Sequence, residues 1–321
     1  MLILWAGLAQ AATWTVDVAG GADFTSINEA MLASSDGDVI EVADGVYAEP
    51  VYFSTHDVDL VSVGGGAVID SSGYSEPTVT MYWNTDATEM IGFELITEAG
   101  EQALSINQAS PIIRGLKISD HPGSGWGPPL ITSTGGELTL EDCVFSGNTG
   151  GETLLSIGGG SVTLRSCEFS NNAGYAVYVQ GSLFMEDCTL EGNAETYGLV
   201  RQRDARDQDN VVELDNTLWL KNAGSLLDLD ADSVRISGDV FQDNELGGVS
   251  IESAGLVQIE DVIFQGTGLG IRAQDIEIRR VEITDFEGPI ETRDIADLRS
   301  FGSVLVEDSE ISRNITQSKF A

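Results

Sequence analysis

One eleven-residue phrase recurs through this chain and limits what it can fold into. It is clearest in LTLEDCVFSGN (138–148), VTLRSCEFSNN (162–172) and LFMEDCTLEGN (183–193). Looser copies follow: VELDNTLWLKN (212–222), VRISGDVFQDN (234–244), VQIEDVIFQGT (257–267), IEIRRVEITDF (276–286) and VLVEDSEISRN (304–314). IIRGLKISDH, ending at His121, and MIGFELITE, ending at Glu98, extend the series upstream. From Glu98 to Asn314 the phrase ends fall about 24 residues apart on average. A period of this size marks a stack of repeats, each burying its apolar face only against its neighbours.

Within each phrase apolar residues alternate, as strands require and helices do not. Leu138, Leu140, Cys143 and Phe145 face one way, with Thr139, Glu141 and Val144 opposite. The phase breaks near Asp142, which predicts a tight bend between two short strands. After the terminal Asn comes a Gly-containing loop and a third alternating run, as in AVYVQG (176–181), VSIES (249–253) and GIRAQD (270–275). Three short strands per repeat predict a parallel β-solenoid of about ten or more coils, each strand pairing with its equivalent about 4.8 Å along the axis. A leucine-rich repeat shares the period and the Asn, but needs a non-strand segment where this chain alternates again.

The recurring Asn has a physical role at a turn. Asn tolerates the left-handed conformation, and stacked amides bond one another in a ladder. Cys143, Cys167 and Cys188 share one inward column. Their odd number excludes a complete disulfide framework, and they read as buried, inert thiols.

These phrases resemble the right-handed parallel β-helix of the pectin-lyase-like superfamily. The stretch WTVDVAGGADFTSINEAMLASSDGDVIEVADGVYAEPVYF (14–53) is similar to the opening of many secreted members of that group. There a strand, a DFxxIxxAI-like capping helix and a GDxIxVxxGxYxE segment lead into the first coil. The resemblance spans residues 14–314 and implies an all-β right-handed parallel β-helix with a short N-terminal capping helix. It does not imply one activity, because the group contains lyases, hydrolases, esterases, epimerases and non-catalytic surface proteins. The DFxFG and LGRPW-like segments of pectin methylesterases, the DD and GHG elements of polygalacturonase-type hydrolases and the WxDH of pectate lyases do not occur.

Met1–Ala12 (MLILWAGLAQAA) is apolar and closes on Ala9-Gln10-Ala11, as a secretory signal peptide does. Residues 13–321 then form a single β-helix domain, secreted or at the cell surface. No later segment is apolar for the length of a membrane span. With 15 basic against 52 acidic residues and a net charge of −37, the chain is a poor partner for nucleic acid or anionic lipid. The same charge suits either solubility in a cation-rich medium or calcium binding by carboxylates. The chain stops on ITQSKFA without an evident cap for its last strand edges, so either a truncated end or a further C-terminal domain is expected.

The resemblance implies that functional groups project outward from the strand after the Asn-ending turn. With apolar residues inward, the outward column runs through Asn107, Ser156, Tyr178, Gln180, Arg201, Arg203, Asp228, Asp230, Ser250, Glu252, Arg272 and Gln274. Placing Val200 inward also buries Gln202. Asp228, Asp230, Arg201 and Arg203 are the candidate catalytic groups, since paired carboxylates beside Arg suit acid/base chemistry at a sugar. Asp228, Asp230 and Asp232 are the candidate calcium ligands, although they lack the Gly and final Glu of an EF-hand loop. Tyr178, Gln180, Glu252 and Arg272 are candidate substrate contacts on that face. So are His121 and Trp126, from the distinctive loop SDHPGSGWGPP (119–129).

Each has a plainer counterpart. Arg201, Arg203 and Asp228 also suit a cross-coil ion-pair ladder, worth little per pair. Trp126 either stacks on a sugar or covers a coil edge, and His121 also reads as a turn residue. Two functions remain open. One is a non-catalytic glycan-binding, adhesive or structural module. The other is a divergent polysaccharide lyase, hydrolase or esterase using the Arg201–Asp228 face.

Overall fold

The alternation is realised as three parallel β-ladders wound into a right-handed solenoid of about 11 turns. The structure is a computed structural model describing residues 11–53, 56–122, 127–149, 153–194, 198–203, 210–245, 248–284, 287–289, 296–300, 302–312 and 315–317. The first ladder carries the opening of each phrase, for example Glu137–Glu141, Val211–Asp215 and Ser233–Ser237. The second is a 12-stranded sheet that includes Val144–Ser146, Glu168–Ser170 and Thr189–Glu191. The third holds the run after the Asn, including Leu104–Asn107, Val200–Arg203 and Leu227–Ala231. It joins the first ladder where the long strands Thr153–Arg165 and Tyr175–Glu186 continue around the corner.

The bend after the first ladder lies where the phase breaks. Asp142, Ser166, Asp187, Asn216 and Asp261 have φ between 51° and 58°. The Asn column differs from the expectation in detail. The left-handed residue is the one before each Asn: Gly147, Asn171, Gly192, Lys221 and Asp243. The column Asn instead uses its amide between coils. The backbone N–H and Nδ2 of Asn172 both donate to Asn193 Oδ1 at 3.0 Å, and the same pair of bonds links 148 to 172, 193 to 222 and 222 to 244. Each Nδ2 also donates to a carbonyl one coil back, as from Asn193 to Phe169 O at 2.8 Å. A buried amide is thus fully satisfied, which its 0–6% exposure demands.

Inside the second ladder Phe145 stacks on Phe169, and Trp219, Phe241 and Phe264 stack in succession at 5.3 and 4.8 Å. Cys143, Cys167 and Cys188 are free and buried. Contacts along the cysteine column, with burial adding to them, push the Cys167 and Cys188 thiols well above the usual range, so they are inert. Cross-coil ion pairs run along the outer face of the first ladder, from Glu89 through Arg114, Glu141 and Arg165 to Glu186.

The N-terminal end is closed by a helix, Ile27–Ala33, burying Ile27, Ala30 and Met31. Ser26 caps it by accepting from Glu29 N. Glu49, the last residue of the GxYxE segment, accepts from Ile27 N and Ser26 Oγ and so satisfies the start of the helix. Asp38 of the GD pair accepts from Ala12 N, Ser35 N and Trp14 Nε1. No described helix is long and apolar enough to cross a membrane. Residues 1–10, most of the expected leader, lie outside the described residues.

Candidate functional site

Inward packing fixes what the third ladder shows to solvent. Val200 and Gln202 are buried, as the alternation required. Gln202 is a polar residue in an apolar column, and both ends of its amide are occupied. Nε2 donates to Gly181 O at 3.3 Å, and Oε1 accepts from Asp230 N at 3.0 Å. That pair of bonds pins three successive coils and sets the direction of Arg201 and Arg203. Tyr178, Arg201, Asp228 and Ser250 fall in one register line, with Gln180 and Arg203 in the next.

The side chains in these lines close on each other. Arg203 Nη1 donates to Asp228 Oδ1 at 3.0 Å, and its Nη2 donates to Oδ2. Arg201 Nε lies 3.3 Å from Asp228 Oδ2. Burial opposes the Arg203 charge, but the bonds to Asp228 and the nearby Asp230 outweigh it and raise the pKa. Arg201 Nη1 donates to Tyr175 Oη at 2.9 Å, and its guanidinium carbon lies 5.8 Å from that ring centre. Gln180 Nε2 donates to Tyr178 Oη at 3.3 Å. Asp228 is therefore shared by two guanidiniums, whereas Arg114, Arg165, Arg279 and Arg280 are each shared by two carboxylates. Both Asp228 oxygens thus face a guanidinium, Oδ1 that of Arg203 and Oδ2 those of Arg203 and Arg201.

The remaining candidates divide. Asp230 stands in line with Glu252, and Glu252 with Arg272; Glu252 and Arg272 are exposed and 4.0 Å apart. Asp232 turns away and accepts from Asn210 N at 2.8 Å. Among the described residues no group of three or more His, Cys, Asp or Glu side chains gathers as a metal site requires. His121 does not overhang the face. It occupies the Asn column, is buried, and its N–H donates to Asn148 Oδ1 at 3.0 Å. Burial lowers its pKa below the usual imidazole range. Trp126 lies outside the described residues.

Tyr175 was missed because it lies at the edge of the Gly-containing loop, although its spacing of three from Tyr178 was visible. The tripeptide Asn84-Thr85-Asp86 reproduces the NTD element of polygalacturonase-type hydrolases in letters. Its Asn is buried with Nδ2 on His56 O, and Thr85 donates through both N and Oγ1 to Asp57. It secures a corner. An open depression of about 530 Å³ near Asp17, Glu41 and Asp44 lies at the N-terminal end, away from the Arg201 face.

The family model described as the right-handed beta helix region matches residues 51–218. No curated protein matches the chain. Three solved structures are similar over most of its length. The lacto-N-biosidase of family GH136 from Eubacterium ramulus is 12% identical with a TM-score of 0.37, covering 95% of this chain and 68% of its own. The pectin methylesterase PemA from Erwinia chrysanthemi is 14% identical at 0.37, covering 83% and 81%. PfbA, a surface adhesin of Streptococcus pneumoniae, is 10% identical at 0.34, covering 90% and 86%. With its three parallel ladders, its Asn column and a family match over half its residues, the chain belongs to the right-handed parallel β-helix family.

Proposed function

We propose that this chain is a non-catalytic glycan-binding module of a secreted or cell-surface protein, made with a cleaved leader. The observation that carries the reading is the closed Arg203–Asp228 fork with Arg201 beside it. A general acid, base or nucleophile works through an oxygen turned to the substrate, and both oxygens of this carboxylate are turned to arginines. Tyr175, Tyr178 and Gln180 beside the fork offer ring faces and an amide suited to a sugar.

The alternative, a divergent lyase, hydrolase or esterase, rests on Asp230 lying next to Asp228 on the same outward strand. Incubating the purified chain with a polysaccharide panel, with calcium and with chelator, separates the two. Retention on a glycan without new reducing ends or unsaturated product is expected. Product release that Asp228→Ala abolishes would establish the enzyme. Loss of binding in chelator would bring back the Asp228, Asp230 and Asp232 calcium set.

A further inference from the structure

We propose that the outward face of the third ladder, from Tyr82 and Trp83 to Tyr178, holds one extended chain of a neutral polysaccharide lying along the solenoid axis. This rests on the glycan-binding reading and names its ligand class and second contact. Trp83 is 65% exposed and Tyr82 43%. Their rings are 6.0 Å apart and tilted by 42°. Tyr52, one coil further out, is 42% exposed, and its hydroxyl is tied to Glu76. Trp83 also has a φ of 56°, a left-handed conformation that a bulky side chain rarely adopts. The same left-handed corner recurs one coil on at Gln108, with a φ of 51°, so the exposed ring rather than the backbone sets Trp83 apart.

The floor between the two aromatic ends is uncharged. Tyr82 is in register with Asn107, Asn107 with Thr134, Ser133 with Ile157, and Gly158 with Gln180. Four coil steps separate Tyr82 from Gln180, roughly 19 Å at the inter-strand spacing. The outward ladder positions between are Ser105, Asn107, Thr132, Thr134, Ser156 and Gly158. None carries a charge, on a chain with a net charge of −37. The hydrogen-bonding groups are already oriented: Thr134 Oγ1 donates to Asn107 Oδ1, Asn107 Nδ2 to Ser105 Oγ, and Gln102 Nε2 to Thr132 Oγ1. Rings at the ends with small hydroxyls and amides between them match a chain of neutral pyranoses, which offers ring faces and hydroxyls in alternation. A polyanion would meet the surrounding acidic surface without compensating cations along the strip.

The test measures affinities of neutral hexaoses (cello-, manno-, xylo- and laminari-), their dimers, and polygalacturonate, for wild type, Trp83→Gly and Tyr178→Ala. The expected result is that one hexaose binds well above its dimer and with little dependence on salt. Trp83→Gly should weaken that hexaose roughly tenfold while raising the melting temperature, because Gly relieves the left-handed backbone. Opposite signs cannot come from unfolding. If Trp83→Gly binds as wild type does while Tyr178→Ala loses binding, the strip is wrong and the glycan-binding reading stands. Binding of polygalacturonate alone overturns the neutral ligand in the same way. Failure of every probe overturns both.

Discussion

Trp219 Nε1 donates to Asp239 Oδ2 at 3.0 Å across two adjacent coils, and Asp239 is fully buried. Asp239 stands in the column of the cysteines, two positions before Phe241 as Cys188 stands before Leu190. Burial is the main cause that pushes its carboxyl from 3.8 up to about 7; bonds from Thr217 N and Trp219 Nε1 resist this, and the charge on Asp215 adds to it. Because the folded value exceeds the unfolded one, the favourable contribution is complete below about pH 4. It is lost as pH rises through 7. At 1.36 kcal/mol per pKa unit the span is about 4 kcal/mol at most. Glu141, held low by Arg114 and Arg165, acts oppositely and loses its contribution as pH falls below its unfolded value. Thermal melts should therefore peak in the mildly acidic range and decline toward pH 8, and Asp239→Asn should flatten that decline. A wild-type melting temperature constant from pH 5 to 8 would rule out a titrating Asp239.

The linked Asn ladder ends at Asn244. Thr267 takes the next position, fully buried, with its hydroxyl lacking a partner. Asn193→Ala should cost about 2–4 kcal/mol, since it strands the donors of Asn172 and Phe169 O. Thr267→Asn should do the reverse, stabilising by about 1 kcal/mol as it accepts from Asn244. Denaturant midpoints of the two variants check both signs, and a destabilising Thr267→Asn would mean that the column narrows there.

Much of this was legible in the sequence because a period of two leaves no latitude: once Phe145 and Asn148 mark a coil, a one-residue slip would expose the core. The register of the Arg201 coil follows from that, including the buried Gln202. The same frame places His121 on the Asn column, yet the unusual loop after it suggested an exposed role. The left-handed residue was placed one position late because Asn is a common choice for it, whereas here Gly, Asn, Lys or Asp precedes a column Asn whose amide is needed between coils. Tyr175, Tyr82 and Trp83 sit at strand edges, where alternation ceases to predict direction. The closure of Asp228 by two arginines depends on rotamers, which spacing does not encode.

The Arg203–Asp228 fork is a half-buried bidentate pair, the kind of ion pair that contributes measurably. A double-mutant cycle on Arg203→Met and Asp228→Asn should give a coupling of about 1–3 kcal/mol in denaturant midpoints. The exposed Lys221–Glu191 pair should give a far smaller coupling, close to none. Equal, small couplings would mean that the fork does not persist in solution.

Glycine corners set how closely successive coils approach where the third ladder turns into the first. A Cβ on Gly160 would lie 1.9 Å from Gly136 O, and one on Gly181 would lie 2.1 Å from Gly160 O. Those oxygens belong to backbone committed to the ladder, so they cannot swing aside as a side chain would. Gly159 has a similar φ, 89° against 79°, but open space around it. Gly159→Ala should therefore carry only the left-handed backbone penalty, about 1–2 kcal/mol. Gly160→Ala adds the collision and should cost more than about 3 kcal/mol, or prevent the central coils from closing. Comparing the two melting temperatures isolates the steric part, since the backbone term is common to both. Equal losses would show that the corner opens to admit a methyl group, and that coil spacing there is set by the flanking strands.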